Sequence, residues 1–145
     1  MIIEYAQILS TAHHVLDGKK AIDGLYKCTH VNHPCTKWAR ENKINYVSLY
    51  ELFIELCKEY TYRYSKEHAT YTKLHEVLRT VPKNIPDICD EIVYFPVAIS
   101  NKEIIMYDSD DEIDIVETYR NYYKTEKKNF ATWRNREIPY WMLKN

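Results

Sequence analysis

The chemistry this chain can do rests on five local groups of residues. The first lies near the start, where Glu4, Gln7, Ser10, Thr11, His13 and His14 share a short stretch. At helical spacing Glu4, Thr11 and His14 fall along one side, and a carboxylate, a hydroxyl and an imidazole there suit acid–base work. A polar stripe facing solvent is the alternative reading. The second group is Cys28-x-His30-x2-His33-x-Cys35. All four are metal-ligand types, but the spacing matches no standard zinc pattern and strains a tetrahedron. Two small thiols and two loop histidines account for it without a metal. The third is the run from His33 to Arg40, where Pro34 suits the first position of a helix. Free backbone N–H groups at such an end attract anions, and Thr36, Lys37 and Arg40 add a hydroxyl and two cations. Ordinary capping with Trp38 in the core is the competing reading.

The fourth group spans Glu59 to His68. On one helix Glu59, Tyr62, Arg63 and Lys66 share a face. Tyr62 offers a ring for stacking, and Arg63, Lys66 and His68 offer phosphate contacts. A surface ion pair between Glu59 and Arg63 explains part of the pattern equally well. The fifth is the C-terminal block. From residue 118 onward seven Lys and Arg stand against two Glu. Arg120, Arg134 and Arg136 interleave with Tyr122 and Trp133, which is the composition of a nucleotide-stacking surface. A basic helix face with a docked aromatic tail has the same composition.

The elements that must position these residues follow from periodicity. Apolar residues at Ile3, Ala6, Leu9, Ala12 and Leu16 predict a helix over 2–16, closed by Gly18. A loop over 19–33 leads to a short helix from Pro34 to Asn42. Asn45 reads as the N-cap of a long helix over 45–65, with Tyr46, Leu49, Phe53, Leu56, Tyr60 and Tyr64 as its apolar stripe. Thr70 reads as the cap of a helix to Thr80 that buries Tyr71, Leu74 and Leu78. Pro82, Pro86 and Pro96 break the chain, and a long irregular segment runs over about 82–110. Within it Ile92–Phe95 and Ile104–Tyr107 are β-prone, and loop is preferred to hairpin. An acidic run from Asp108 to Glu117 opens a further helix to about Asn129, with Val116, Tyr119, Tyr123 and Phe130 on its apolar side. The tail from Trp133 is too aromatic to be left free and is expected to dock. The expected architecture is a compact, single all-α domain over 1–145.

Composition narrows the function classes. The 145 residues carry a formal net charge of −1, which argues against a protein that coats nucleic acid over a large surface. Any such contact is a local patch. Only 2 glycines are present, so Gly-rich phosphate loops are excluded. No apolar run reaches the roughly 18 residues of a membrane span. Four cysteines without an export leader read as reduced thiols. A host-cell cytoplasm, or a nucleus for a virus of eukaryotes, is the expected compartment. No cofactor is expected, and oligomeric state is not legible.

Several strings resemble a known group. Ile3-Glu4-Tyr5-Ala6-Gln7-Ile8-Leu9-Ser10-Thr11-Ala12, Thr29-His30-Val31-Asn32-His33-Pro34-Cys35-Thr36-Lys37-Trp38-Ala39-Arg40 and Glu59-Tyr60-Thr61-Tyr62-Arg63-Tyr64 carry it. So do Tyr119-Arg120-Asn121-Tyr122-Tyr123 and Pro139-Tyr140-Trp141. They resemble an uncharacterised family of small proteins of large-genome phages and other DNA viruses, which implies a viral setting. More remotely, Glu4 through Lys20, His33 and the 49–58 helix are similar to pyrimidine-dimer DNA glycosylases of the endonuclease V type. That likeness implies an all-α protein in which an N-terminal amine forms a Schiff base and Glu4 stabilises the cationic intermediate. Two departures stand against it. The glycosylases carry a further segment before this helix, and the basic residues beside their glutamate are here Ile3 and Gln7.

The expected function is recognition of DNA bases or nucleotides by a viral protein, extending to glycosylase/lyase-like repair chemistry at Glu4. One alternative is a non-catalytic binder that sequesters a nucleotide or nucleic acid. The other is a protein-interaction module that docks through its tail.

Overall fold

The computed structural model describes residues 1–87 and 94–143. Among these the chain is all-α, with an isolated antiparallel bridge between Tyr107 and Ile113 as the single β feature. The chain divides into two compact units, Met1–Pro96 and Val97–Asn145. No helix among the described residues is long and apolar enough to cross a membrane.

The first unit holds α1 (Ile2–Asp17), α2 (Pro34–Glu41), α3 (Lys43–Tyr64) and α4 (Ala69–Arg79). Helix α1 packs on the other three, and α3 packs on α2 and α4. Ala6, Ala12 and Ala39 are fully buried and let backbones approach; Leu9, Phe53, Leu74 and Leu78 fill the space between. The stripe on α1 begins at Ile2, which is buried, whereas Ile3 is exposed. Gly18 closes α1 at φ 55°, a conformation that favours glycine, and its N–H reaches His14 O.

Two caps lie elsewhere than the sequence suggests. Asn42, not Asn45, caps α3, its side chain accepting from Asn45 N–H at 2.8 Å. Asn45 is instead buried inside the helix and donates from Nδ2 to Trp38 O. His68, not Thr70, caps α4, its Nδ1 accepting from Thr70 N–H. Each shift has one cause: two residues of capping type stand close together, and the earlier one has the extended backbone a cap requires.

A polar chain joins three helices. The Tyr46 hydroxyl lies 2.9 Å from Leu78 O and 2.9 Å from His13 Nε2, all buried. A phenol has one proton, so it donates to Leu78 O and accepts from His13 Nε2–H. That leaves His13 Nδ1 bare, 3.9 Å from the Asp17 carboxylate and without a hydrogen bond. Burial holds His13 below its ordinary 6.5, against the pull of Asp17. Burial also opposes ionisation of Asp17, but Lys83 N–H, Asn84 N–H and the Asn84 amide, at 2.9 to 3.0 Å, outweigh it and hold that carboxyl below 3.8.

The second unit holds α5 (Ile115–Thr125) and α6 (Tyr140–Leu143), with 3-10 turns at Lys102–Ile104 and Lys128–Phe130. Asp114 caps α5, accepting from Glu117 N–H. Helix α5 stops at Thr125, short of Asn129, where Thr125 bonds back to Asn121 O and the chain tightens into the second 3-10 turn. The apolar side expected of it is buried only in part, with Tyr119 and Tyr123 half-buried. Val116 and Phe130 are exposed, and the buried residue is Thr118, which accepts from Met106 N–H and donates to Met106 O. Polar pairing with the 104–106 segment, completed by Asn121 to Ile104 O, does what an apolar stripe does elsewhere. Ile104–Tyr107 forms no strand beyond the single bridge, and Ile92 and Val93 lie outside the described residues. In the tail Trp133 and Trp141 are half-buried while Ile138, Tyr140 and Leu143 are exposed, so docking there is partial.

Tyr46→Phe removes the shared hydroxyl and strands two buried groups; the expected cost is about 1–3 kcal/mol in chemical denaturation. The unfolded chain takes up the His13 proton first, so stability falls as pH drops below 6.5 towards the lower folded value. The difference between wild type and His13→Gln, measured as melting temperature from pH 7.5 to 5, isolates that slope; a constant difference contradicts it.

Candidate functional site

The concave site of the first unit is built on α1. Its polar residues do not form a solvent stripe: Ser10, Thr11 and His13 are fully buried. Ser10 Oγ accepts from Tyr26 N–H. Thr11 Oγ1 donates to Thr29 O and accepts from Thr29 N–H, both at 3.1 Å. His14 Nε2 donates to Tyr26 O. Three side chains thus pin the 26–29 segment along the helix. Its backbone polar groups find partners without forming a strand.

Beyond it the chain turns at His30, whose φ is 48°, and His33 N–H closes the turn on His30 O. Arg40 holds this turn against α2, donating to Val31 O and Thr36 O. His33 then caps α2, its Nδ1 accepting from Cys35 N–H at 3.2 Å.

A cleft of about 250 Å³ results, lined by Glu4, Gln7, Ile8, Thr29, His30, His33 and Thr36. Five of these residues stand in the groups the sequence singled out: Glu4, Gln7, His30, His33 and Thr36. Glu4 is exposed and pairs with the Met1 amine. Thr36 is 1% exposed, and its hydroxyl has no hydrogen-bond partner. Because His33 Nδ1 already accepts, the neutral ring carries its proton on Nε2 and offers a donor there. The wall therefore presents one acceptor in Glu4, one donor in His33, and groups of both kinds in Gln7 and Thr36.

The anion site expected at the start of α2 is not formed. Pro34 has no N–H, Cys35 N–H is taken by His33 Nδ1, and Thr36 and Lys37 N–H both point to His33 O. Lys37 is exposed, and Arg40 is spent on backbone carbonyls. The expected face on α3 is also divided. The helix ends at Tyr64 and Ser65 turns left-handed at φ 53°, so Lys66 leaves the face of Glu59, Tyr62 and Arg63. Arg63 pairs with Glu59 at 2.7 Å, and His68 is a cap whose ring meets Tyr60 edge-on. Tyr62 is exposed.

In the second unit Arg120 pairs with Glu117 and lies over the Trp141 ring. Arg134 and Arg136 are exposed, Trp133 is half-buried, and Tyr122 meets Tyr123 edge-on. Lys127 Nζ sits 5.3 Å from the Tyr122 ring and 5.9 Å from that of Phe130.

Sequence reasoning weighed His30 and His33 as metal-ligand types rather than as cleft residues, and missed Thr29. The signal was present in the His33-Pro34 pair, since an acceptor ahead of an N1 proline marks a cap. Nothing in the sequence marked the pinning of 26–29. Among the described residues no three His, Cys, Asp or Glu are grouped to hold a metal, and Cys28, Cys35 and Cys57 are free thiols. Burial pushes Cys35 up, and Cys57 up to about 11, so neither is a ready nucleophile. Cys89 lies outside the described residues. A second, more open groove of about 480 Å³ runs between α3 and α4, where Tyr50 donates to His75 O and Lys58 pairs with Glu55.

Compared with known proteins, the chain matches no family model, no curated protein and no solved structure.

His33→Ala removes the α2 cap and is expected to cost about 1 kcal/mol, whereas His33→Asn, a preferred cap, retains it. Denaturant midpoints of the two variants test this. Equal losses would contradict a capping role.

Proposed function

We propose that this protein recognises DNA bases or nucleotides, and that the cleft beside Glu4 receives the ring. One observation carries the reading: Thr36 lines the cleft, and its buried hydroxyl has no hydrogen-bond partner. A buried polar group left unmade costs about 1–3 kcal/mol, and a ligand that supplies its partner recovers that energy. The surrounding groups favour a planar ring with a polar edge. Glu4 accepts, His33 donates, Gln7 does both, and Ile8 gives an apolar surface. The volume lies below the roughly 300–1,000 Å³ of sites for drug-sized ligands, which suits one ring system better than a whole nucleotide. The resemblance to small proteins of large-genome phages and other DNA viruses suggests a viral setting and carries no activity of its own.

Repair chemistry is the second reading. Glu4 stands at the cleft as an exposed carboxylate, where it can take or deliver a proton at a ring nitrogen or sugar carbon. The reading predicts that base release from damaged duplex DNA is lost in Glu4→Gln, and that borohydride traps the chain on an abasic duplex through its amine.

Calorimetry with the four common nucleosides and their monophosphates tests recognition itself. At least one is expected to bind, and Thr36→Val, which keeps shape and removes the hydroxyl, is expected to weaken it about tenfold, or about 1.4 kcal/mol. Binding unchanged by both Thr36→Val and Glu4→Gln, or no binding by any nucleoside, removes the cleft from the function.

A further inference from the structure

We propose that the surface formed by Tyr122, Lys127 and Phe130 is a stacking platform for single-stranded nucleic acid. The proposal deepens the base-recognition reading and rests on it in one respect: it makes the ligand a strand rather than a free nucleotide. Phe130 is the starting observation. It is 78% exposed and stands in the 3-10 turn past the end of α5, although the sequence spacing extends that helix's apolar side to it. It does not hang from a loose chain. Phe130 N–H and Ala131 N–H both bond to Lys127 O, at 2.9 and 3.1 Å, so a tight turn holds the ring outward.

Lys127 Nζ lies over two rings, 5.3 Å from the centre of Tyr122 and 5.9 Å from that of Phe130. A cation shared by two aromatic faces orders both rings. The charge around them is one-sided. Lys124, Lys127 and Lys128 stand against Glu126, and Glu126 is engaged by the Asn101 amide. An exposed ring beside a half-buried one, held among cations, matches a strand, whose bases have π-faces and whose phosphates repeat along it. A paired duplex hides those faces. An acidic peptide offers the charge without rings to stack. Neither uses the whole arrangement.

The test is fluorescence anisotropy of labelled single strands of 4, 8 and 16 nucleotides against the full chain, with a 16-base-pair duplex and polyglutamate as competitors. The single strand is expected to bind more tightly as it lengthens, and to weaken as salt rises from 50 to 200 mM. Phe130→Ala is expected to weaken binding about tenfold or more, as loss of a stacked base does. Because the ring is exposed, that variant keeps the melting temperature of the wild type. Lys127→Gln is expected to weaken binding and flatten the salt dependence. Nucleoside binding at the cleft is measured on the same variants and is expected to be unchanged, so a failed platform and a failed cleft are told apart. The proposal is overturned if Phe130→Ala binds like wild type, if the duplex is preferred, or if polyglutamate competes as well as an unlabelled strand.

Discussion

A phenolic hydroxyl has one proton to give, and the first unit is arranged around where Tyr46 gives it. The proton goes to Leu78 O at the end of α4, so the oxygen must accept from His13 on α1. One side chain on α3 thereby fixes the relative position of three helices and selects a tautomer. The selected tautomer leaves a bare nitrogen facing Asp17, which is tolerable because Asp17 spends its charge on the backbone of Lys83 and Asn84. The turn after α4 is held by the same carboxylate. Burial that pushes Tyr46 far above its ordinary range and His13 below its own keeps the chain neutral along its length.

The position of α1 then decides the cleft. Once its apolar side is committed to the core, Ser10, Thr11 and His14 are left facing a segment with no secondary structure of its own. They satisfy that segment's backbone, and in doing so they place Thr29 and His30 over the first turns of the helix. The 30–33 turn and the His33 cap set the opposite wall. The cleft is thus assembled from polar pairing on a rigid helix, with the Thr36 hydroxyl buried and left without a partner.

Much of the fold is legible in the sequence, and the limits have identifiable causes. Helices α1, α3 and α4 follow from spacing, because Ala6, Leu9 and Ala12, then Tyr46, Leu49 and Phe53, then Leu74 and Leu78 recur at steps of three or four. Boundaries miss by a few residues where two capping types lie close together, as with Asn42 and Asn45. The second unit reads less well because its helix is held by Thr118 and Asn121, and polar pairing leaves no periodic signature. Of the candidate residues, Glu4 and Thr36 meet in one cleft because both flank elements that pack early in the chain. Arg40, Arg63 and His68 have the right types for phosphate contact, yet each has local work that composition does not reveal. The pinned segment that completes the cleft pairs residues about sixteen to eighteen apart, beyond any local pattern.

Among the described residues, four other than glycine adopt left-handed backbone: His30, Ser65, Asp111 and Asn135. Such positions store conformational strain that glycine relieves. At Ser65, past the end of α3, a glycine gives up little, since the hydroxyl is exposed and the turn is made by the main chain. At His30 the same change also deletes an imidazole from the cleft wall. Relief of strain and retention of the side chain pull in opposite directions there. A lineage selected only for hardiness would drift to glycine at both positions; one selected for the ligand would keep the histidine and bear the tension in its loop.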